Sequence, residues 1–256
     1  MKYNSVKKSH FFLFPVFIFL LHLPFVFAKP SGRLENNRPV IAKNLTRNNG
    51  TINSHSIAKT ALYDKMQLST LGLSKEAFEY AIKGYNYLLS SGKLNNDGIL
   101  SIVDFSLPSS KKRLFVIDME NLKVLFNTYV AHGRNSGTVY ANEFSNAPES
   151  HKSSLGFYIT KATYNGEHGF SLQLEGEEKG INDNAFNRAI VIHSAPYVDE
   201  SLIKSQGYIG RSFGCPALPP KYSTAIIQTI KNGSCFFMFS PDSKYISNSP
   251  LLQLAS

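Results

Sequence analysis

Cysteine is scarce in this chain of 256 residues, which has two, Cys215 and Cys235. They form no Cys-x-x-Cys pair, and none of the seven histidines stands four residues from another, so no single element presents two metal ligands. His132, His168, Asp183, His193 and Cys215 are acceptable zinc ligand types, yet without such a pair no metal is expected. Acidic residues are few as well. The 18 Asp and Glu against 27 Lys and Arg leave a formal charge of +9, which suits a polyanionic surface such as a cell wall. Nucleic acid is the competing polyanion, but zinc-finger spacing, a basic helix and an aromatic RNA-binding signature are all missing, and no nucleic acid is expected. Internal repeats are absent too.

What is present begins with Lys2, Lys7 and Lys8, an apolar run from Phe11 to Phe27, and a small residue, Ala28. A basic head, an apolar stretch and a small exit residue describe a secretory signal peptide over 1–28. The alternative is a retained N-terminal anchor, the one route to a membrane; the run is only about 17 residues and Pro15, His22 and Pro24 interrupt it. Cleavage would leave a charge of +6, since the segment holds three lysines and no acid. The expected destination is the periplasm or cell envelope, or secretion. Residues 29–60, rich in Asn, Lys, Arg, Ser and Thr, read as a disordered linker, because such a segment buries too little apolar surface to offset chain entropy.

The rest reads as one domain, 61–245, with a tail over 246–256. Two short N-terminal helices are expected, one over Ala61 to Leu68 and one from Ser74, a good N-cap, to about Ser90 before Gly92. Phe78, Ala81, Ile82, Tyr85 and Leu89 give the second an apolar face. From Ile99 the period changes to two. Strands are predicted over Ile99 to Phe105, Arg113 to Asp118, Lys123 to Ala131, Phe157 to Ala162, Ser171 to Leu174, Ala189 to Ile192 and Ser234 to Phe239. Seven short strands between turn clusters imply a mostly β sandwich or barrel.

The stretch Ala189 to Pro220 carries the chemistry. A β-branched run, Ile190 to Ile192, delivers His193 to a strand end, and Gly214-Cys215-Pro216 displays a cysteine between a flexible and a rigid residue. An imidazole beside a thiol activates it, and amides at Gly214 and Cys215 would face the oxygen of an attacked carbonyl, so acyl transfer through a thioester is one reading. The other is that Cys215 is a small buried hydrophobe and His193 a satisfied strand-end histidine. Cys235, among apolar neighbours, reads as a buried inert thiol, with a Cys215–Cys235 disulfide as the alternative in an oxidising compartment.

The block from His193 through Ser212-Phe213-Gly214-Cys215-Pro216 resembles the murein L,D-transpeptidase catalytic-domain family, whose signature is a histidine followed by Ser/Thr-x-Gly-Cys. The likeness extends to Val130 through Gly137, to Ser153 through Tyr158 and to Gly180 through Asn184. It implies an L,D-transpeptidase-like, mostly β fold, no cofactor, Cys215 as nucleophile and His193 as base. Many members carry a histidine between the serine and glycine and an arginine or asparagine shortly after the cysteine; here those places hold Phe213, Pro216 and Ala217. Ser212, Arg211 and His132 are the candidates for substrate binding, Arg211 as the missing cation. The expected partner is the peptidoglycan stem peptide. Transpeptidation is the leading function; L,D-carboxypeptidase or cross-link hydrolysis would use the same residues, and a wall-binding module without turnover remains the alternative of another class.

Overall fold

The computed structural model describes residues 59–254, all within one compact unit, Asn48–Ser256. The expected signal peptide and nearly all of the expected linker lie outside the described residues. Among those described, no helix is long and apolar enough to cross a membrane.

Helix α1 is seen over 59–65, followed by α2, Lys75–Ser90. Ser74 caps α2 by accepting from the Ala77 amide, and Gly92, at φ +68°, ends it as the Lys93 amide returns to the Leu88 carbonyl. At sixteen residues α2 is longer than a short helix. Its buried face holds Phe78, Ala81, Ile82, Tyr85 and Leu88, whereas Leu89 is exposed. The spacing from Tyr85 explains the correction: three residues on, not four, points into the core. Gly84 lets the helix lie against the sheet, since a Cβ there would stand 2.1 Å from the Phe157 ring.

The body is one mixed sheet of eight strands: β1 (Ile99–Asp104), β2 (Leu114–Asp118), β3 (Lys123–Thr128), β4 (Gly156–Gly166), β5 (Gly169–Gly176), β6 (Val191–Ser194), β7 (Ala217–Leu218) and β8 (Cys235–Phe239). Their order is β3-β2-β1-β8-β4-β5-β6-β7. The β1/β8 and β6/β7 pairs are parallel and the others antiparallel. The seven predicted strands are all present with shifted ends, and β7, two residues long, escapes any periodicity argument. The sheet curls until its two ends meet. Chain leaving β3 bonds to chain entering β7, through Ala131 N–H to Ala217 O at 2.9 Å, Ser212 N–H to His132 O at 2.9 Å and Arg134 N–H to Ser212 O at 2.7 Å.

Four further helices frame the sheet: α3 (Glu200–Gln206), α4 (Pro220–Ile230), α5 (Ser243–Asn248) and α6 (Pro250–Leu254). Residues 246–254, expected as a tail, bury Leu251 and Leu252 in the core. Glu178 helps anchor them: this buried carboxyl accepts from Tyr245 and Ser249 as well as from the Phe157 amide. All five residues of β8 are buried, Cys235 among them, and burial pushes its thiol far up. Cys215 and Cys235 are both free. Three strands, β4, β5 and β6, separate β8 from β7, too great a span for a disulfide.

Candidate active site

His193 sits on β6 in register with Ala217 on β7, and the bend that leads into β7 brings Cys215 against Val191, two residues before His193 on β6. The Cys215 sulfur, partly exposed, accepts from the Val191 amide at 3.4 Å and faces the Ala189 carbonyl at 3.6 Å. Burial pushes its thiol above the ordinary value, while the Val191 amide and the Arg188 guanidinium pull it back. The thiol is therefore protonated at neutral pH.

The His193 ring is buried, and Nδ1–H donates to the Ser194 carbonyl at 2.9 Å. That bond assigns the tautomer and leaves Nε2 as the free basic atom. Burial, with His168 as a lesser influence, lowers its proton affinity, so the ring is neutral at pH 7. His168, at the β4–β5 hairpin tip, stacks on it with centroids 4.3 Å apart.

Gly214, the glycine before Cys215, has φ +126°, and a Cβ there would meet the Lys152 carbonyl at 2.9 Å and Ile190 Cδ1 at 3.0 Å. Gly214→Ala is expected to cost about 1–3 kcal/mol and to displace the cysteine, read as a lower unfolding midpoint with lost thiol reactivity. An unchanged midpoint would show that the loop relaxes freely. The Gly214 amide is spent on Ser212 Oγ at 3.0 Å, and Ser212 donates to the Cys215 carbonyl at 2.6 Å. Ser212 therefore shapes the loop and has no proton left for a substrate. The Cys215 amide donates to no acceptor among the described residues and is the amide free to face an oxyanion.

His132 is buried with both ring nitrogens used: Nδ1 accepts from Arg113 at 2.7 Å and Nε2–H donates to Gly137 O at 3.1 Å. Burial first and the Arg113 charge second push its proton affinity down to about 3. It supports the site only through its backbone, by accepting from the Ser212 amide. Arg211 is exposed, with Nη1 resting on Arg134 O and Gly137 O at 3.3 and 3.2 Å. Phe213 projects into solvent at 64% exposure, its ring tilted against that of His151 with Arg134 over its face.

Two segments flank the cysteine, 145–154 and 186–191. Ser153 links the first to the loop, donating to Gly214 O at 3.2 Å and accepting from the Gly133 amide at 3.0 Å. Arg188 joins the two segments: Nη1 donates to Ser145 O and Ser154 Oγ, Nη2 to Ser150 Oγ and Lys152 O. Of the six non-glycine residues with positive φ among the described residues, three, Glu149, His151 and Ala189, lie on these two flanks. No three His, Cys, Asp or Glu side chains converge as a metal site among the described residues.

Residues 69–239 match the family described as the L,D-transpeptidase catalytic domain. The chain belongs to that family. Among solved structures it is similar to the L,D-transpeptidase from Mycobacterium smegmatis, at 15% identity over 56% of this chain and 59% of that one, with a TM-score of 0.35. It is also similar to the helical cell shape determining protein Pgp2 from Campylobacter jejuni, at 17% identity over 68% and 62%, with a TM-score of 0.38. It spans about three fifths of the length of each. No curated protein matches the chain. Within this L,D-transpeptidase domain, sequence reasoning missed Arg188 and the stacking of His168. Arg188 carried one usable signal, a cation directly before the strand run that delivers His193.

Proposed function

We propose that this L,D-transpeptidase-family domain is an exported, cysteine-dependent enzyme acting on peptidoglycan stem peptides. The observation that supports the reading is the contact of the Cys215 sulfur with the Val191 amide on β6, two residues before His193, whose tautomer the Ser194 carbonyl assigns. Turned from the Ala189 carbonyl towards His193, Sγ gives its proton to Nε2 and attacks the carbonyl of an L-configured centre. The Cys215 amide faces the developing oxyanion, and His193 returns the proton to the departing D-amino acid, leaving a thioester. His193 then takes a proton from the acceptor, which is an amine in transpeptidation and water in L,D-carboxypeptidation. Arg211, held by one nitrogen, keeps the rest of its fork for a substrate carboxylate.

The test is mass spectrometry of tetrapeptide-stem muropeptides after incubation with the full-length chain. Loss of the terminal D-amino acid with dimer formation supports transpeptidation, and loss without a dimer supports carboxypeptidation. An unchanged muropeptide sinks both. Because burial lowers the His193 proton affinity, its neutral form persists below pH 6.5. The acidic limb of kcat/KM is therefore expected to be centred below that value, and a limb centred above it would refute His193 as the base.

A further inference from the structure

Among the described residues, Arg188 is a half-buried cation without a carboxylate partner. Its four hydrogen bonds all go to neutral oxygens, at 2.8 Å to Ser145 O, 2.6 Å to Ser154 Oγ, 3.1 Å to Ser150 Oγ and 2.7 Å to Lys152 O. Its charge is thus left uncompensated in a site of reduced dielectric, where charge acts further than in water. It is also close to the nucleophile. A Cβ on Gly214, the residue before Cys215, would lie 3.3 Å from Arg188 Nη2. The same nitrogen holds the Lys152 carbonyl that packs against that glycine.

The other groups facing Cys215 do not supply such a charge. His193 is neutral, with His168 stacked behind it, and Tyr197 is an acid whose ionisation burial opposes. Lys152 is paired with Glu143. Arg134 and Arg211 lie at the solvent surface, over the rings of Phe213 and Tyr208.

We propose that Arg188 is a positioning residue for the nucleophile, its charge stabilising the Cys215 thiolate while its fork latches segment 145–154 beneath the Gly214 loop. This rests on Cys215 being the nucleophile. When the proton moves from Sγ to Nε2 of His193, a thiolate and an imidazolium form, and Arg188 stands beside the anion. The latch and the charge act together, since the oxygens that hold the guanidinium belong to the segment packed against the loop. The mutual electrostatic pull of Arg188 and Cys215 on one another agrees with this placement.

The experiment is the pH dependence of Cys215 alkylation by iodoacetamide on the full-length chain, with the labelled residue assigned by mass spectrometry. Cys235 is buried and stays unlabelled while the fold is intact. In Arg188→Gln the labelling midpoint is expected to rise by about one pH unit, with labelling roughly ten-fold slower at neutral pH. Arg188→Lys keeps the charge but not the two-pronged fork, and its midpoint should stay within about 0.3 units. A folded Arg188→Gln with the wild-type profile overturns the proposal. So does a midpoint in Arg188→Lys displaced as far as in Arg188→Gln, because the role would then be mechanical. Should Arg188→Gln expose Cys235 to labelling, Arg188→Lys decides alone: a retained midpoint supports the charge, and a one-unit rise refutes it. Alkylation needs no substrate, so an inactive wild type with the expected Arg188 shift would refute the proposed function and leave this inference standing.

Discussion

Cys215→Ala is expected to abolish muropeptide turnover, by at least about 10³-fold, while leaving the fold intact. The sulfur is the only atom at the β6/β7 junction able to form a thioester, so no neighbouring group replaces it. Its loss should barely affect stability. Sγ makes one long hydrogen bond from the Val191 amide and one weak contact to the Ala189 carbonyl, and truncation at such a partly exposed position costs about 1 kcal/mol or less. The two readouts belong together: product mass spectrometry with wild type and variant side by side, and a urea unfolding midpoint for each. Turnover above about a tenth of wild type would remove the covalent mechanism and with it the proposed role of His193. Retained affinity for purified wall material, with no turnover in either protein, would instead favour a wall-binding module.

Arg113→Met is expected to be the most damaging substitution for stability, by about 3–5 kcal/mol. The guanidinium is fully buried and donates to Val130 O through Nε and Nη2, to Leu107 O through Nη1 and to His132 Nδ1, with its plane over Phe105 at 4.9 Å. Removing it strands two carbonyls and a ring nitrogen away from water, and unpaired buried acceptors cost about 1–3 kcal/mol each. Urea unfolding measures the loss, and a change under about 1 kcal/mol would mean that the neighbours repack or admit water.

The same pair sets an acid sensitivity. His132 has a folded-state value of about 3 against an unfolded value of 6.5, so between those limits the unfolded chain binds more protons. Its contribution is complete above pH 6.5 and is lost as the pH falls towards 3, amounting to roughly 3 kcal/mol between pH 7 and pH 4. His132→Gln should flatten that slope, and an equally steep slope in the variant would assign the acid sensitivity elsewhere.

Much of this architecture is legible in the linear chain. Short apolar and β-branched runs between turn clusters locate seven strands from Ile99 onward, although β1, β2 and β8 are buried almost throughout and do not alternate, and Ser74 and Gly92 mark the ends of α2, because orphan amides and carbonyls need those residue types. The Ser212-Phe213-Gly214-Cys215 block and His193 likewise mark the proposed site by residue type alone. Tertiary structure decided the rest. The order β3-β2-β1-β8-β4-β5-β6-β7 depends on pairings between residues more than a hundred positions apart, as in Leu100 against Cys235, which no local period encodes. Helices α3 to α6 are short, and most of their stability comes from the sheet they cover, so their sequence signal is weak.

The polar residues show the same division. A histidine, a serine or an arginine has the same composition whether it faces a substrate or a backbone carbonyl. Burial and partner geometry made His132 a ligand of Arg113, made Ser212 the brace of its own loop, and brought Arg188 beside Gly214. The sequence determined which chemistry is available, because nucleophilicity and basicity belong to residue types. Only the folded chain decided which groups remain free to use it, because hydrogen-bond capacity is consumed by neighbours that come together from distant parts of the chain.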